Sequence, residues 1–197
     1  LIGGTKIVKN HIIHYGQSNE GLRLIDYDFN EIWNLNISEL CSYDSSQGIQ
    51  KAEITQVLQD NDFLYVLAGL SVLKVEIATG DIIWHERFEF RNNRALLQDE
   101  FLFVSTGFYF SKIHAKSGYV VFEGREVDPI QIGKEKRLGG IRDLIWNRNS
   151  IWTLIDLNPA IVLLEISPED GSYLSVVPIN DLGIQGDCHM PRFFENR

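Results

Sequence analysis

Cysteine is scarce: Cys41 and Cys188 are the only two in 197 residues. They are too few, at no recognisable spacing, for a disulfide framework or a thiolate metal site. A chain of this length buries enough core to fold without a bridge. Reduced thiols and a cytoplasmic setting are expected, with the periplasm as the alternative. The N-terminal Leu1-Ile2-Gly3-Gly4 shows neither an initiator Met nor a signal-peptide pattern, the mark expected of a trimmed or processed chain. No apolar run approaches the about 20 residues that span a bilayer, so no membrane partner is expected. Positive charge is also short, with 18 Lys and Arg against 27 Asp and Glu and a net charge of −9. Phosphate backbones are bound by clustered Lys and Arg, so nucleic acid is not expected as a ligand. The charge suits a basic protein partner.

Catalytic and metal signatures are missing too. No G-x-S-x-G, H-E-x-x-H or calcium-loop pattern occurs. His11 and His14 sit three apart on an expected strand, which places them on opposite faces. His85, His114 and His189 stand without neighbouring ligand types. Asp60-Asn61-Asp62 reads as a hairpin turn, since the other calcium ligands are missing. Gly183-Ile-Gln-Gly186 lacks the strand–loop–helix context of a phosphate loop, and 134–137 reads as a solvated loop. Cys188-His189 are sequence neighbours, whereas a catalytic dyad needs spatial adjacency. No catalytic residue, cofactor or metal is expected. Helical periodicity is absent as well, apart from 37–43, which could form one short turn of helix.

What is present is a repeat. The segment Phe63-Leu-Tyr-Val-Leu-Ala-Gly69, Ser71-Val-Leu-Lys-Val-Glu-Ile77, Ala78-Thr-Gly80 and Asp81-Ile-Ile-Trp84 reads as strand, turn, strand, Gly turn, strand with Trp. The order returns downstream in Phe101-Leu-Phe-Val-Ser-Thr-Gly107, Phe110–His114, Gly118 and Tyr119-Val-Val-Phe122. It returns upstream in His11–Gly16, Leu22–Asp26 and Glu31-Ile-Trp33, and again in Ser150–Ile155, Ile161–Ile166, Gly171 and Ser172-Tyr-Leu174. On this reading Asn30 takes the Gly place in the first unit, and Phe122 and Leu174 take the Trp place in the third and fourth. A shorter apolar strand precedes each unit, at 5–8, 53–58, 94–97 and 141–146, followed by an Asn- or Asp-rich turn. Strands such as 63–67 and 161–164 are apolar at nearly every position, which implies burial on both faces. Blade-on-blade packing supplies that burial. A β-sandwich is the alternative, and the fixed unit order with its recurring aromatic position argues against it.

The expected fold is therefore all-β, a small β-propeller of about four four-stranded blades. The whole of 1–197 forms one domain, with blades near 1–37, 53–90, 94–126 and 141–179 and a C-terminal tail over 180–197. The pattern resembles the quinoprotein (PQQ-like) propeller repeat, most closely over 63–84. Enzymes of that superfamily carry a vicinal cysteine pair and a set of calcium and quinone ligands that this sequence lacks, so the resemblance implies fold and not a cofactor.

Links between units alternate in length: long from Trp33 to Trp84, short from Trp84 to Phe122, long from Phe122 to Leu174. The extra residues lie in 38–51 and 127–140, as if a two-blade unit had been duplicated. In a propeller these links share a face with the turns at 17–20, 69–70, 108–109 and 157–159, and loops on a rigid scaffold carry function. Candidate partner-binding residues there are Glu39, Tyr43, Asp44, Phe108, Tyr109, Asp128 and Asp156, aromatics flanked by carboxylates. The aromatics could equally cap the core beneath them. The tail, with Phe193 and Phe194, is expected to dock on the ring; an exposed binding peptide is the other reading. The expected function is a non-enzymatic protein-binding propeller, most concretely an acidic immunity protein that neutralises a basic toxin such as a nuclease. The alternatives are a scaffold in an envelope or trafficking assembly and a propeller enzyme using polar groups of the first strands (Glu53, Thr55, Arg94, Arg142 and Asp143).

Overall fold

The computed structural model describes residues 4–8, 11–15, 21–46, 48–89, 91, 94–105, 109–126, 130–132, 135–137, 140–141, 143–156 and 161–179. Sheet 1 comprises β1 (Gly4–Val8), β2 (His11–Tyr15), β3 (Leu22–Ile25) and β4 (Glu31–Leu35). A helical turn, α1 (Ile37–Leu40), and a hairpin, β5 (Tyr43–Ser45) with β6 (Gly48–Gln50), lead to sheet 2. That sheet contains β7 (Ile54–Asp60), β8 (Phe63–Ala68), β9 (Ser71–Glu76) and β10 (Ile82–Arg87). Sheet 3 contains β11 (Arg94–Gln98), β12 (Phe101–Ser105), β13 (Tyr109–His114) and β14 (Val120–Glu126). A second hairpin follows, β15 (Ile130–Ile132) with β16 (Glu135–Arg137). In sheet 4 the edge strand is split into β17 (Gly140–Ile141) and β18 (Ile145–Asn147), both paired with β19 (Ser150–Asp156), and β20 (Ile161–Ile166) and β21 (Tyr173–Pro178) complete it. Every pairing is antiparallel, and all but that of β17 with β19 join sequence neighbours.

Turn chemistry explains the hairpins. Asn61, Asp99, Arg148 and Asn149 take positive φ at the links from the first to the second strand, where Asn and Asp cost least. The expected continuous strand over 141–146 is instead two pieces. The Asp143 carboxylate accepts a hydrogen bond from the Leu144 amide at the break (2.9 Å), an option the backbone can take in place of a ladder bond.

The four units share a further device. Each last strand carries a β-bulge, at Ile32, Ile83, Val121 and Leu174, where one residue drops out of register. All four bulged side chains are exposed. In sheets 1 to 3 the next residue is the one that faces the adjoining sheet, Trp33, Trp84 and Phe122, and the register puts Ser175 at the same place in sheet 4. The fourth unit therefore has Ser175 in the aromatic place, and Leu174 aligns with the extruded aliphatics. Sequence spacing misplaces it because a bulge is invisible in a hydrophobicity pattern. A second correction concerns the Gly place. Gly80, Gly118 and Gly171 have φ of 78°, 77° and 72°, and in sheet 1 it is Phe29, not Asn30, that is left-handed, at 65°. The turn from β3 to β4 is one residue shorter than the others. It is held by Asp26, whose carboxylate accepts from the Asp28 and Asn30 amides and from Asn30 Nδ2. These bonds hold its pKa below the usual carboxylate value, the Asn30 side chain contributing most.

Three apolar clusters fill the junctions between successive sheets, 1 with 2, 2 with 3, and 3 with 4. At the first two junctions a tryptophan does the joining. Trp33 Nε1 donates to the Ile77 carbonyl (2.9 Å), and Trp84 Nε1 to the Ala115 carbonyl (3.1 Å). Each indole lies against the Gly turn of the next sheet. A Cβ at Gly80 would sit 2.8 Å from Trp33 Cδ2, and one at Gly118 2.9 Å from Trp84 Cδ2. Glycine is thus needed there twice, for its φ and for the space. Junction 2/3 is the tightest, since the Ala115 carbonyl also accepts from Tyr65 Oη (3.3 Å) and Lys74 Nζ (3.2 Å). The Gln56 amide ties the inner strands by accepting from Ala95 N (2.7 Å) and donating to Ala95 O (3.1 Å).

Two stability effects are expected. Trp84→Phe, which keeps the ring but removes the donor, lowers unfolding free energy by about 1–2 kcal/mol. Phe29→Gly raises it by roughly 0.5–1 kcal/mol, because Phe29 is 81% exposed and its left-handed backbone has a steric cost with no packing return. Urea titrations of both variants read the shifts. A pH effect follows from Tyr65, whose hydroxyl is pushed up to about 12, chiefly by burial and secondarily by the Asp60 charge. Because the folded value lies above the ordinary 10, the unfolded chain releases this proton first. Stability is intact below pH 10 and declines between pH 10 and about 12. Comparing Tyr65→Phe with the parent across that interval should show a shallower alkaline decline in the variant.

Candidate functional site

The first excursion, 37–52, is built with a buried root and an exposed tip. Ile37, Ser38, Cys41 and Ala52 are buried. Ser38 Oγ donates to the Ala52 carbonyl (3.3 Å), closing the loop on itself. Asn36 caps the helical turn by accepting from the Glu39 amide (3.2 Å), and its Nδ2 donates to Glu39 Oε2 (2.9 Å), a reciprocal capping arrangement. Glu39 is therefore positioned, yet exposed. The tip is the hairpin β5–β6, with Tyr43 opposite Gln50, Asp44 opposite Ile49 and Ser45 opposite Gly48. Ser45 Oγ donates to the Gly48 carbonyl (2.9 Å). Tyr43 leans back on the sheet: its Cε1 lies 3.3 Å from where a Cβ of Gly69 would be, at the β8–β9 turn. Asp44 points into solvent, and Ile49 is 75% exposed.

Glu39, Tyr43 and Asp44 are thus brought together on one rigid-rooted excursion. Tyr109 begins β13, half-buried, with its backbone opposite Glu126. Asp156 ends β19, with its backbone opposite Gly140 and Ile161. Both occupy the end of their sheets that corresponds to the Gly69 turn of sheet 2. Phe108 and Asp128 lie outside the described residues, as do Cys188 and the tail 180–197. Sequence reasoning overlooked Leu40 and Ile49, large aliphatics exposed beside the carboxylates. The sequence carried no signal for Ile49, because strands of three residues are too short to show alternation. The second excursion holds the corresponding hairpin β15–β16.

Groups considered for chemistry are placed as follows. Cys41 is buried, and burial pushes its thiol pKa up, which disfavours the reactive thiolate. His85 Nε2 lies 2.9 Å from Ser71 Oγ, and partial burial lowers its pKa. Glu53 pairs with Arg91 (3.0 Å), and Thr55 Oγ1 donates to the Leu67 carbonyl (3.3 Å). Arg94 and Asp143 are exposed, and Arg142 is outside the described residues. Among the described residues no group of three His, Cys, Asp or Glu side chains converges as metal ligands do, and no helix is long and apolar enough to cross a membrane.

Comparison with known proteins supplies the architecture's name. No protein-family model matches the sequence. A search of curated proteins gives no match. Solved structures do match. The computationally designed Ika8 protein superposes with a TM-score of 0.61 at 11% identity, over 87% of this chain and 47% of that one. BamB from Moraxella catarrhalis gives 0.56 at 11% identity, over 85% and 49%. The Neurospora crassa Pan2 WD40 domain gives 0.53 at 12% identity, over 89% and 51%. The fold is a β-propeller fold. Identities this low bear on fold alone, and the chain spans about half the length of each of these three structures.

Proposed function

We propose that this chain is a non-enzymatic protein-binding propeller that engages its partner through the excursion carrying Glu39, Leu40, Tyr43, Asp44 and Ile49. The observation that carries the reading is the exposed Ile49 set directly opposite Asp44 on a hairpin whose root is buried. An aliphatic anchor beside carboxylates, held on a preorganised support, loses little entropy on docking and steers a basic partner by charge. Phe108, Tyr109, Asp128 and Asp156 would extend the same surface. The net charge of −9 favours a basic partner, and an inhibitor of a basic toxin is the most concrete form of this reading. In its finer form the fold is four blades of the quinoprotein repeat type closing into a ring. The end faces are consistent with closure: sheet 1 presents His14 and Arg23 where sheet 2 has Val66 and Leu73, and sheet 4 presents Glu165.

A second reading, a scaffold within a larger assembly, draws on the propeller fold that the chain shares with BamB and the Pan2 WD40 domain. The two readings share the surface and differ in the partner. Co-purification from the native host, at low and high salt, tests them with the Asp44→Lys/Ile49→Asp double variant beside the parent. A basic partner held stoichiometrically by the parent at low salt, and lost both at high salt and in the variant, is the expected result. Equal recovery by parent and variant would reject the excursion as the binding surface.

A further inference from the structure

The junction between sheets 3 and 4 departs from the other two in a way that leaves a lined, open cleft. In sheets 1, 2 and 3 the residues facing the next sheet are Ile13–Leu24–Trp33, Tyr65–Lys74–Trp84 and Phe103–Lys112–Phe122, aligned across three strands. At junction 2/3 all three side chains donate to the Ala115 carbonyl. Their counterparts at junction 3/4 do not repeat this. Phe103 has no hydroxyl, Phe122 has no indole N–H, and Lys112 makes no hydrogen bond to the carbonyl of Pro168, the residue in the place of Ala115. The result is a cleft of about 540 Å³ lined by Phe101, Phe103, Lys112, Trp146 and Pro168, with Asp99, Glu100 and Glu169 at its edge.

Lys112 is the unusual feature of this cleft. It is 6% exposed, with its Nζ 4.1 Å above the Phe101 ring and 5.6 Å from that of Phe103. Lys74, its counterpart, lies 4.1 Å above the Phe63 ring and also donates to a carbonyl. Lys112 has no hydrogen-bond or ion-pair partner among the described residues; its stem is buried, while its ammonium, held over the Phe101 ring, lines the open cleft with its hydrogens available to an acceptor that enters. On an aromatic wall a charge-assisted hydrogen bond to such an acceptor is stronger than in open water. Trp146, stacked on Phe103 with centroids 6.0 Å apart, also lines the cleft, and its indole N–H has no partner among the described residues. Two donors inside an aromatic wall call for an anionic acceptor. The three carboxylates at the mouth oppose a purely anionic ligand and favour one that carries a positive charge as well.

We propose that this cleft binds a small zwitterion of the amino-acid class, with its carboxylate on Lys112 Nζ, its ammonium toward Asp99, Glu100 and Glu169, and its apolar portion against Phe101 and Trp146. The site is separate from the excursion surface and stands or falls independently of it. Phosphate-type anions are disfavoured by the carboxylate mouth, and simple amines leave Lys112 unsatisfied.

Titration calorimetry of the unmodified chain tests this with three probes: L-phenylalanine, 3-phenylpropanoate, which lacks the ammonium, and phenethylamine, which lacks the carboxylate. Saturable binding of L-phenylalanine is expected, with each truncated probe weaker by about tenfold or more. Lys112→Met, which keeps the buried stem, should abolish the preference for L-phenylalanine over phenethylamine. Glu169→Gln, at an exposed position where folding is not at stake, should narrow the gap to 3-phenylpropanoate. Absence of saturable binding by L-phenylalanine overturns the proposal. So does equal binding of either truncated probe to the unmodified chain, a comparison that requires no variant to fold.

Discussion

Everything in this molecule depends on how one four-stranded sheet is fastened to the next. An isolated meander has two faces and cannot bury both, so the fold exists only if neighbours cover each other. Apolar packing provides the driving force, yet it does not fix the angle or register of sheet on sheet. The indole does. A Trp N–H aimed at one backbone carbonyl, with the ring flat on a glycine, admits a narrow range of positions for the next blade. The hydrogen bond contributes on the order of 1 kcal/mol net. Its larger role is directional, because shifting the blade would leave both a buried donor and a buried carbonyl unsatisfied.

The same fastening explains why the bulge recurs in all four last strands. A regular strand alternates sides, so the residue before the aromatic would point to the opposite face. Extruding Ile32, Ile83, Val121 and Leu174 from the register resets the phase and tightens the local twist. The cost is an exposed aliphatic in each unit. The bulge is present in four units that differ in the following residue, so it does not depend on an aromatic side chain there. Ser175 keeps the bulge without the aromatic. Its hydroxyl instead donates to Glu165 (2.9 Å), which also accepts from Ser150 (2.7 Å), while Ser150 accepts from Trp152 Nε1 (3.0 Å). A face of lysine on aromatic rings has become a face of carboxylate among hydroxyls.

Much of this was legible in the sequence, and the failures have specific physical causes. Strand order, the positions of Trp33 and Trp84, the turn at 37–40 and the Asn- and Asp-rich hairpins could be read because period, punctuation and turn chemistry agreed. Asn30 was put at the left-handed place because the turn that the Asp26 bonds hold is one residue shorter than the others, a local constraint that lining up the units does not show. Leu174 was put at the aromatic place because hydrophobicity carries no signature of a bulge. The excursions were read as loops because a three-residue strand is too short to show alternation. At the candidate site, chain position grouped Glu39, Tyr43 and Asp44 correctly on one excursion, while Ile49 required the register of β5 and β6. The cleft beside Lys112 was not legible, since the two side chains without a donor, Phe103 and Phe122, flank Lys112 only in the register of the sheet.

The junctions therefore differ in a graded way. Junction 2/3 sets three donors on one carbonyl, whereas at junction 3/4 the hydroxyl and indole donors are absent, Lys112 remains and a cleft is open. Between these extremes lies junction 1/2, where Trp33 holds but Ile13 and Leu24 replace the polar partners, leaving a smaller cavity of about 160 Å³ beside His11 and Ile77. Packing volume and polar ties thus trade against one another at equivalent positions of one scaffold. A ring of identical junctions would be most easily specified, and also featureless. By concentrating its ties at one junction, the chain keeps a rigid centre from which the third junction can open without loosening the first two. The unmatched Lys112 ammonium is retained at the open junction while its aromatic support, Phe101, is retained beneath it. The equivalent place in sheet 1 holds the apolar Leu24, whereas Lys112 keeps a cation over Phe101 with no protein acceptor for its hydrogens among the described residues. A cation held on the aromatic wall of an open cleft is the strongest reason to look for an acceptor from outside.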